Sequence, residues 1–115
     1  MVPVDTTTAP FYTWGEHSHS WILLDSPALS VKEERMPSGT TEQLHLHRKA
    51  QQFFYVLSGV AEFTVNDLVV VAQAGQGLHI HPGQVHCISN PGTGDLRFLV
   101  ISQPTTSGDR VTPAP

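Results

Sequence analysis

Basic side chains, cysteine and long apolar runs are all scarce in this chain of 115 residues. Lysine and arginine together number 6 against 10 acidic residues, which gives a net charge of −4. A chain with so few basic residues lacks the basic stripe that binds nucleic acid or an anionic lipid surface. The partners that we expect are therefore small molecules or a second copy of the chain.

A single cysteine, Cys87, excludes a framework of internal disulfide bonds. No stretch approaches the roughly 18 consecutive apolar residues of a membrane-spanning helix, and residues 1–10 lack the basic and apolar segments of a secretory signal. These features predict a protein of the reducing cytoplasm. A chain of this length is expected to form one domain that buries its own core.

The composition divides the chain into three parts. Residues 1–10 contain a run of threonines and two prolines, which predicts an extended arm. Residues 11–101 carry the apolar runs and are predicted to form a single domain. Residues 102–115 are rich in proline, threonine and serine, and we interpret them as a tail that either folds back or stays mobile.

Within residues 11–101 the apolar residues come in short runs without the 3.6-residue spacing of a helix. Turn-forming residues separate the runs. One example is Asn66-Asp67, between the β-favouring residues 60–65 and 68–72, which predicts a hairpin. Many short strands with turns between them indicate an all-β sandwich or barrel.

The most informative stretch is residues 39–59, because it holds His45 and His47 one residue apart. Strand-favouring residues surround the pair, and alternate residues of a strand project from the same face. Two imidazoles on one face provide half of the ligands that a transition-metal ion needs.

The spacing in this stretch resembles a known motif. Gly39 is followed by five residues, His45, one residue and His47, then four residues, Gln52, six residues and Gly59. The first motif of the cupin superfamily has this spacing, with a glutamate at the place that Gln52 occupies here. The resemblance implies a metal site in which an amide replaces the usual carboxylate.

A second stretch resembles the second cupin motif. It contains Gly75, then His81 where proline is usual, followed by Gly83, His86 and Asn90. The resemblance implies an all-β fold, the cupin β-jelly roll or double-stranded β-helix barrel, with the site inside the barrel. The chain is most similar to the small single-domain cupins often labelled mannose-6-phosphate-isomerase-like, a label that does not establish sugar isomerase activity.

By this resemblance the metal ligands are His45, His47 and His86, with Gln52 as the fourth ligand. Imidazole suits Fe, Ni, Mn, Zn or Cu, and the sequence does not choose among these divalent ions. Gln51 is the fourth metal ligand instead if the preceding turn is one residue tighter. In a further alternative, Gln52 only forms hydrogen bonds within the barrel, and three histidines and water hold the ion. A site of neutral donors leaves the ion its full charge of +2, which favours an anionic substrate.

Three more polar residues are candidates for catalysis. His79 and His81 share a strand parity, and we expect at least one of them to carry protons beside the metal. The alternative is that both lie on the outer face. Gln43 has the parity of His45 and His47 and is expected to orient the substrate.

The function that we expect is a metal-dependent enzyme of dioxygenase, isomerase or lyase type, acting on a small polar or anionic molecule. The alternative is a small-molecule or metal binding module without turnover. Single-domain cupins usually pair through their sheets, so the resemblance also implies a homodimer. Residues 21–24 and 29–36 are the predicted sheet edges at its interface.

Overall fold

The computed structural model describes residues 1–113, and the regular elements of this part of the chain are strands. The all-β prediction is therefore confirmed. No described residue belongs to a helix of the length and apolar character that crossing a bilayer requires. The strands are β1 (Phe11–Trp14), β2 (Ser18–Asp25), β3 (Ser30–Met36), β4 (Leu46–His47), β5 (Gln51–Ser58), β6 (Val60–Val65), β7 (Leu68–Gln73), β8 (Gly77–Ile80), β9 (His86–Ser89), β10 (Leu96–Gln103) and β11 (Arg110–Val111).

The strands form two sheets and a two-stranded ribbon. The larger sheet has the order β1-β2-β3-β10-β5-β8, the smaller one has the order β7-β6-β9, and β4 pairs with β11. One apolar cluster takes members from both sheets, so the two sheets face each other across a shared core. Its members are Met36, Phe54, Val56, Ala61, Phe63, Ala72, Ile80, Ile88, Leu96, Phe98 and Val100.

The predicted turn at Asn66-Asp67 is confirmed. These two residues connect β6 to β7, which pair in register from Val60 opposite Gln73 to Val65 opposite Leu68. Both have positive φ, 45° and 68°, as a two-residue turn between twisted strands requires. Asparagine and aspartate tolerate this conformation better than most residues.

Two motif residues hold the backbone in place. Gly59 has a φ of 85°, and a Cβ there would lie 2.8 Å from the carbonyl oxygen of Asp95, so only glycine fits. Asn90 is buried, and its amide nitrogen donates to the carbonyl oxygens of Met36 at 2.9 Å and Gly94 at 2.8 Å. The last residue of the second motif therefore closes the loop between β9 and β10.

The limits predicted for the domain need correction. The predicted end at residue 101 lies inside β10, which continues to Gln103. The chain then returns, and β11 pairs with β4, with Arg110 opposite His47. Of the two alternatives predicted for the tail, the described part folds back, because hydrogen bonds with distant residues dock it on the barrel. Residues 114 and 115 of the predicted tail lie outside the described residues.

The predicted sheet edges are also wrong. Residues 21–24 belong to β2, which lies between β1 and β3, and residues 29–36 fall largely in β3, which lies between β2 and β10. The strand β3 is therefore paired on both sides, and β2 is paired with β3 on one side and with β1 over Ser18–Trp21 on the other. The apolar strand at a sheet edge is β7, where Leu68 is 71% exposed and Val69 is 62% exposed.

Candidate metal centre

Three histidines come together at one end of the smaller sheet. His47 belongs to β4, and His45 just before it forms an isolated bridge with His86 of β9. The N–H group of His45 donates to the carbonyl oxygen of His86 at 3.1 Å, and the reverse bond measures 2.9 Å. This bridge is the contact that brings the two sequence motifs together.

The three imidazoles converge on a common point. One ring nitrogen of each of His45, His47 and His86 lies within 4.8 Å of those of the other two. All three side chains are buried, with exposed fractions of 3%, 5% and 1%. In residues 1–113 no other group of three histidine, cysteine or acidic side chains comes together in this way.

Backbone carbonyls orient two of the rings. Nδ1 of His45 lies 2.9 Å from the carbonyl oxygen of Gln43, and Nδ1 of His86 lies 2.9 Å from that of Gln84. A carbonyl oxygen only accepts, so each Nδ1 carries the proton and each Nε2 keeps its lone pair. Fixing a ring through its second nitrogen in this way is typical of metal-binding histidines.

The histidines are neutral near pH 7. Burial lowers the pKa of His45 to about 3 and that of His47 to about 4, and burial also lowers the pKa of His86. Neutral imidazole is the form that binds a metal ion. Nδ1 of His47 is buried and has no hydrogen-bond partner within residues 1–113, so the site already contains an unsatisfied ring nitrogen.

Gln52 lies beside these histidines. It is 7% exposed, its Nε2 donates to Oγ of Ser102 at 3.1 Å, and its Oε1 lies 3.2 Å from Nε2 of His86. With Nδ1 of His86 protonated, the two atoms that face each other are both acceptors. A cation between them would be bound by both acceptors. In the metal-free protein, an amide turned by 180° would instead donate its N–H group to Nε2 of His86. The donor set therefore fits a metal ion.

The alternative ligand Gln51 is excluded by its position. Neighbouring residues of β5 point to opposite faces, so Gln51 is exposed while Gln52 is buried. The side chain of Gln51 instead donates to Gln103 at 2.7 Å and contacts the ring of His79 at 2.8 Å.

The expectation that His79 or His81 lies beside the metal is wrong. His79 is opposite the exposed Phe53 in the pairing of β8 with β5, and the intervening Ile80 is the residue that enters the core. His81 is exposed just beyond the strand, with its ring 4.1 Å from that of His79. The side chain of Gln43 is also exposed, and this residue contacts His45 through its carbonyl oxygen.

His45 and His47 line a cavity of about 210 Å³. This volume is below the roughly 300–1,000 Å³ of pockets that take drug-sized ligands. A ligand that fits is therefore small. The cavity is lined by Tyr12, Trp14, Lys32, Glu34, Glu42, His45, His47, Gln52, Phe54, Val100, Ser102, Thr106 and Arg110.

Two acidic residues of the cavity escaped sequence analysis. Burial raises the pKa of Glu34 to about 7, and the hydroxyl of Ser20 donates to its carboxylate. Burial raises the pKa of Glu42 to about 8, and its Oε1 has no hydrogen-bond partner among the described residues. That oxygen lies 3.8 Å from Nδ1 of His45. Both carboxyls are therefore poised to exchange a proton near neutral pH.

Sequence analysis also did not place two basic residues, Lys32 and Arg110, in the cavity. Lys32 precedes Glu34 by two positions in β3, so strand alternation places both on the inner face. That parity, shared with the buried Met36, is the signal that could have identified them. Arg110 had no such signal, because it reaches the cavity through the pairing of β11 with β4.

The two sheets with a buried histidine cluster at one end define a double-stranded β-helix protein with a candidate metal site. The family model of the cupin domain matches residues 32–102. The chain therefore belongs to the cupin family, as its motifs predict.

Named relatives agree with this assignment. The chain is 33% identical over 67 residues to an oxalate-binding protein from Thermotoga maritima, a match that covers 58% of this chain and 55% of the relative. The chain thus spans about half the length of that curated relative. It is also 27% identical over 88 residues to a mannose-1-phosphate guanylyltransferase from Sinorhizobium fredii, covering 76% of this chain and 17% of that protein.

The fold is close to that of a solved structure. The crystal structure described as that of a predicted oxalate decarboxylase from Thermotoga maritima superposes with a TM-score of 0.83 at 24% identity, covering 91% of this chain and 100% of the other. At this identity the likeness establishes the fold and not the activity.

Proposed function

We propose that this protein binds a divalent transition-metal ion through His45, His47, His86 and Gln52, and acts with it on a small carboxylate or similar oxygen-rich anion. The observation that carries the proposal is the convergence of three buried, neutral imidazoles within 4.8 Å of one another at the end of a small cavity. The reaction type that we propose is that of a dioxygenase, isomerase or lyase.

The charges around the cavity support an anionic ligand. The three histidines and the amide of Gln52 are neutral, so they do not offset the charge of a divalent ion. Lys32 and Arg110 add two basic side chains to the lining. A small anion would therefore be attracted by both the ion and the side chains.

Each part of the lining has a role in this proposal. A bound divalent ion would supply Lewis-acid activation of an oxygen atom of the ligand. Lys32 and Arg110 would bind and orient the anionic group. The carboxyls of Glu34 and Glu42 would hold or release a proton, and the rings of Trp14 and Phe54 would limit the access of water.

Two of the similar proteins, both from Thermotoga maritima, have names that suggest a class of ligand to test. One is named an oxalate-binding protein and the other a predicted oxalate decarboxylase, and oxalate is a small dianion. We therefore propose small dicarboxylates as the first compounds to test. The names of these relatives do not decide between binding and turnover.

A second candidate is a binding module without turnover, which the name of the oxalate-binding relative favours. The same cavity would then hold an anion through the metal ion, Lys32 and Arg110. In such a module, Glu34 and Glu42 would take part in no proton transfer to the ligand.

The experiment that tests the proposal begins with the metal content of the purified protein. Metal-free protein is prepared with a chelator and reloaded with Co²⁺, Mn²⁺, Fe²⁺, Ni²⁺, Cu²⁺ or Zn²⁺. Oxalate and other small carboxylates are then titrated by calorimetry and followed for consumption. Binding without consumption supports the module, and consumption that chelation abolishes supports the enzyme. The absence of metal binding, or of binding to any small carboxylate, refutes the proposal.

We also propose that the protein is a homodimer. The apolar, exposed strand β7 lies at a sheet edge, where unpaired backbone groups favour association. A monomeric sedimentation profile at micromolar concentration would contradict this. The cytoplasmic location stays a prediction.

A further inference from the structure

Residues 106–111 form one wall of the metal cavity, although they are distant in sequence from the histidine motif. Thr106 and Arg110 both line the cavity. Between them, the N–H group of Asp109 donates to the carbonyl oxygen of Thr106 at 3.0 Å, which turns the chain toward β4. The segment is thus part of the site and not only a covering of the barrel.

The carboxylate of Asp109 binds three successive backbone N–H groups of residues 48–50. The donors are Arg48 at 3.1 Å, Lys49 at 3.1 Å to each oxygen, and Ala50 at 2.9 Å. Asp109 is 9% exposed. A carboxylate that accepts several N–H groups fixes the local backbone firmly, because each bond is charge-assisted.

The loop held by Asp109 connects two candidate metal ligands. His47 lies immediately before residues 48–50, and Gln52 lies two residues after them. The distance between the imidazole and the amide therefore depends on the conformation of this loop. Displacing the loop would move both ligands relative to His86, which belongs to a different strand.

The pairing of β11 with β4 aims Arg110 at the same site. Arg110 lies directly opposite His47, and directly opposite residues of an antiparallel pair project from the same face. Arg110 is one of the charges that lower the pKa values of His45, His47 and Glu42, which is consistent with a guanidinium facing them. Within residues 1–113 no carboxylate forms a salt bridge with it.

We propose that residues 106–111 complete the metal centre, with Asp109 as a positioning residue for His47 and Gln52, and with Arg110 as the side chain that recognises the anionic group of the ligand. The role of Arg110 rests on the proposed function. The role of Asp109 rests only on the metal-binding part of the proposed function and is independent of the anionic ligand.

The test of Asp109 measures Co²⁺ affinity by competition with a chelator, with the full chain throughout. Asp109→Ala should weaken Co²⁺ binding by about 10-fold or more, as the loss of supporting contacts does in metal sites. Asp109→Asn keeps one acceptor oxygen and should recover part of that loss. Asp67→Asn, in the exposed hairpin turn, removes the same charge and should bind Co²⁺ as the parent does.

A second measurement separates positioning from general stability. Amide hydrogen exchange at residues 48–50 of metal-free protein should accelerate in Asp109→Asn, while exchange in the core strand β10 stays as in the parent. If both Asp109 variants bind Co²⁺ within twofold of the parent, Asp109 has no positioning role. If Asp109→Ala does not fold, the exchange and affinity of Asp109→Asn decide the question.

Arg110 is tested with oxalate as the probe on Co²⁺-loaded protein. Arg110→Gln should weaken oxalate binding by about 10-fold while Co²⁺ affinity changes less than about threefold, and Arg110→Lys should recover part of the loss. Arg97→Gln, which removes the same charge outside the cavity, is the control. Unchanged oxalate binding in Arg110→Gln refutes this role. Failure of the parent to bind any small carboxylate refutes the proposed function and leaves the test of Asp109 standing.

Discussion

Oε1 of Gln52 lies 3.2 Å from Nε2 of His86, and both atoms are acceptors when Nδ1 of His86 donates to the carbonyl oxygen of Gln84. The two residues are 34 positions apart and belong to different sheets. An amide thus occupies the place where the cupin motif has a carboxylate, so a metal ion there would keep more of its charge. This relationship leads to the first prediction.

Gln52→Glu should tighten the binding of divalent ions, because a carboxylate adds one negative charge in direct contact with the metal. Gln52→Ala should weaken binding only modestly, since three imidazoles remain, whereas His47→Ala should lose most of the metal. Competition with a chelator measures all three. If Gln52→Glu and Gln52→Ala both match the parent, Gln52 does not contact the ion.

Metal loading should raise the melting temperature of the parent. A ligand that binds only the folded state at a free concentration 100 times its dissociation constant adds about 2.7 kcal/mol to the free energy of unfolding. Differential scanning calorimetry with and without Co²⁺ measures the shift. His45→Ala should show little of it, and an equal shift in that variant would place the ion elsewhere.

His79→Ala and His81→Ala should leave metal affinity within about twofold of the parent, because both rings lie on the outer face of the barrel. The chelator competition used for Gln52 applies here too. A loss of metal comparable with that of His47→Ala would show that the outer histidines take part in the site.

Metal-free protein should lose stability below about pH 4.5 and again above pH 6.5, because the effects of the histidines and of the glutamates oppose each other between these two values. The buried histidines have pKa values of about 3 and 4 in the folded state against 6.5 ordinarily, so the unfolded chain binds more protons below pH 6.5 and acid destabilises the fold. Glu34 and Glu42 have pKa values of about 7 and 8 in the folded state, against 4.5 ordinarily. Between pH 4.5 and these raised values the folded state binds more protons than the unfolded chain, so this contribution to stability is lost as the pH rises toward 8.

Denaturant melts of chelated protein from pH 4 to 9 measure this profile. Glu34→Gln and Glu42→Gln should each flatten the decline above pH 6.5, because a neutral amide does not titrate. Glu62→Gln, outside the cavity, should leave the decline in place. A profile that rises steadily from pH 6.5 to 8 would contradict the raised pKa values.

Gly59→Ala should destabilise the fold more than Gly83→Ala does. Both glycines have positive φ, 85° and 82°, but only at Gly59 would a Cβ meet a backbone oxygen, 2.8 Å away. The positive φ alone costs about 1–2 kcal/mol with a side chain, and the collision adds to this at Gly59. Thermal unfolding measures the difference. Equal losses of stability in the two variants would show that the loop at Asp95 moves aside at little cost in free energy.

Strand alternation and turn chemistry made much of the fold predictable. The hairpin at Asn66-Asp67 was predictable because both residues tolerate positive φ, and the common face of His45 and His47 because alternate residues of a strand project together. The position of His86 opposite them was not, since no local rule states which strands meet. The expected position of His86 came from the resemblance of the chain to the two cupin motifs.

The errors have a common physical origin. His79 and His81 share a strand parity, but parity does not tell which face of the strand is buried. Ile80 points into the core instead, because burying its apolar side chain is more favourable than burying an imidazole. The predicted dimer edges failed similarly, because an apolar strand is found inside a sheet as readily as at its edge.

The sequence by itself determined the strands, the turns and a pair of imidazoles on one face, because these depend on neighbours within a few residues. The tertiary structure decided that His86 bridges to His45, that Glu34 and Glu42 enter the cavity, and that Asp109 and Arg110 reach the loop beside His47. The contact of Asp109 with Arg48, for example, joins residues that are 61 positions apart. These contacts form only when the two sheets pack on a common core, so they depend on the packing of the whole barrel and not on local sequence.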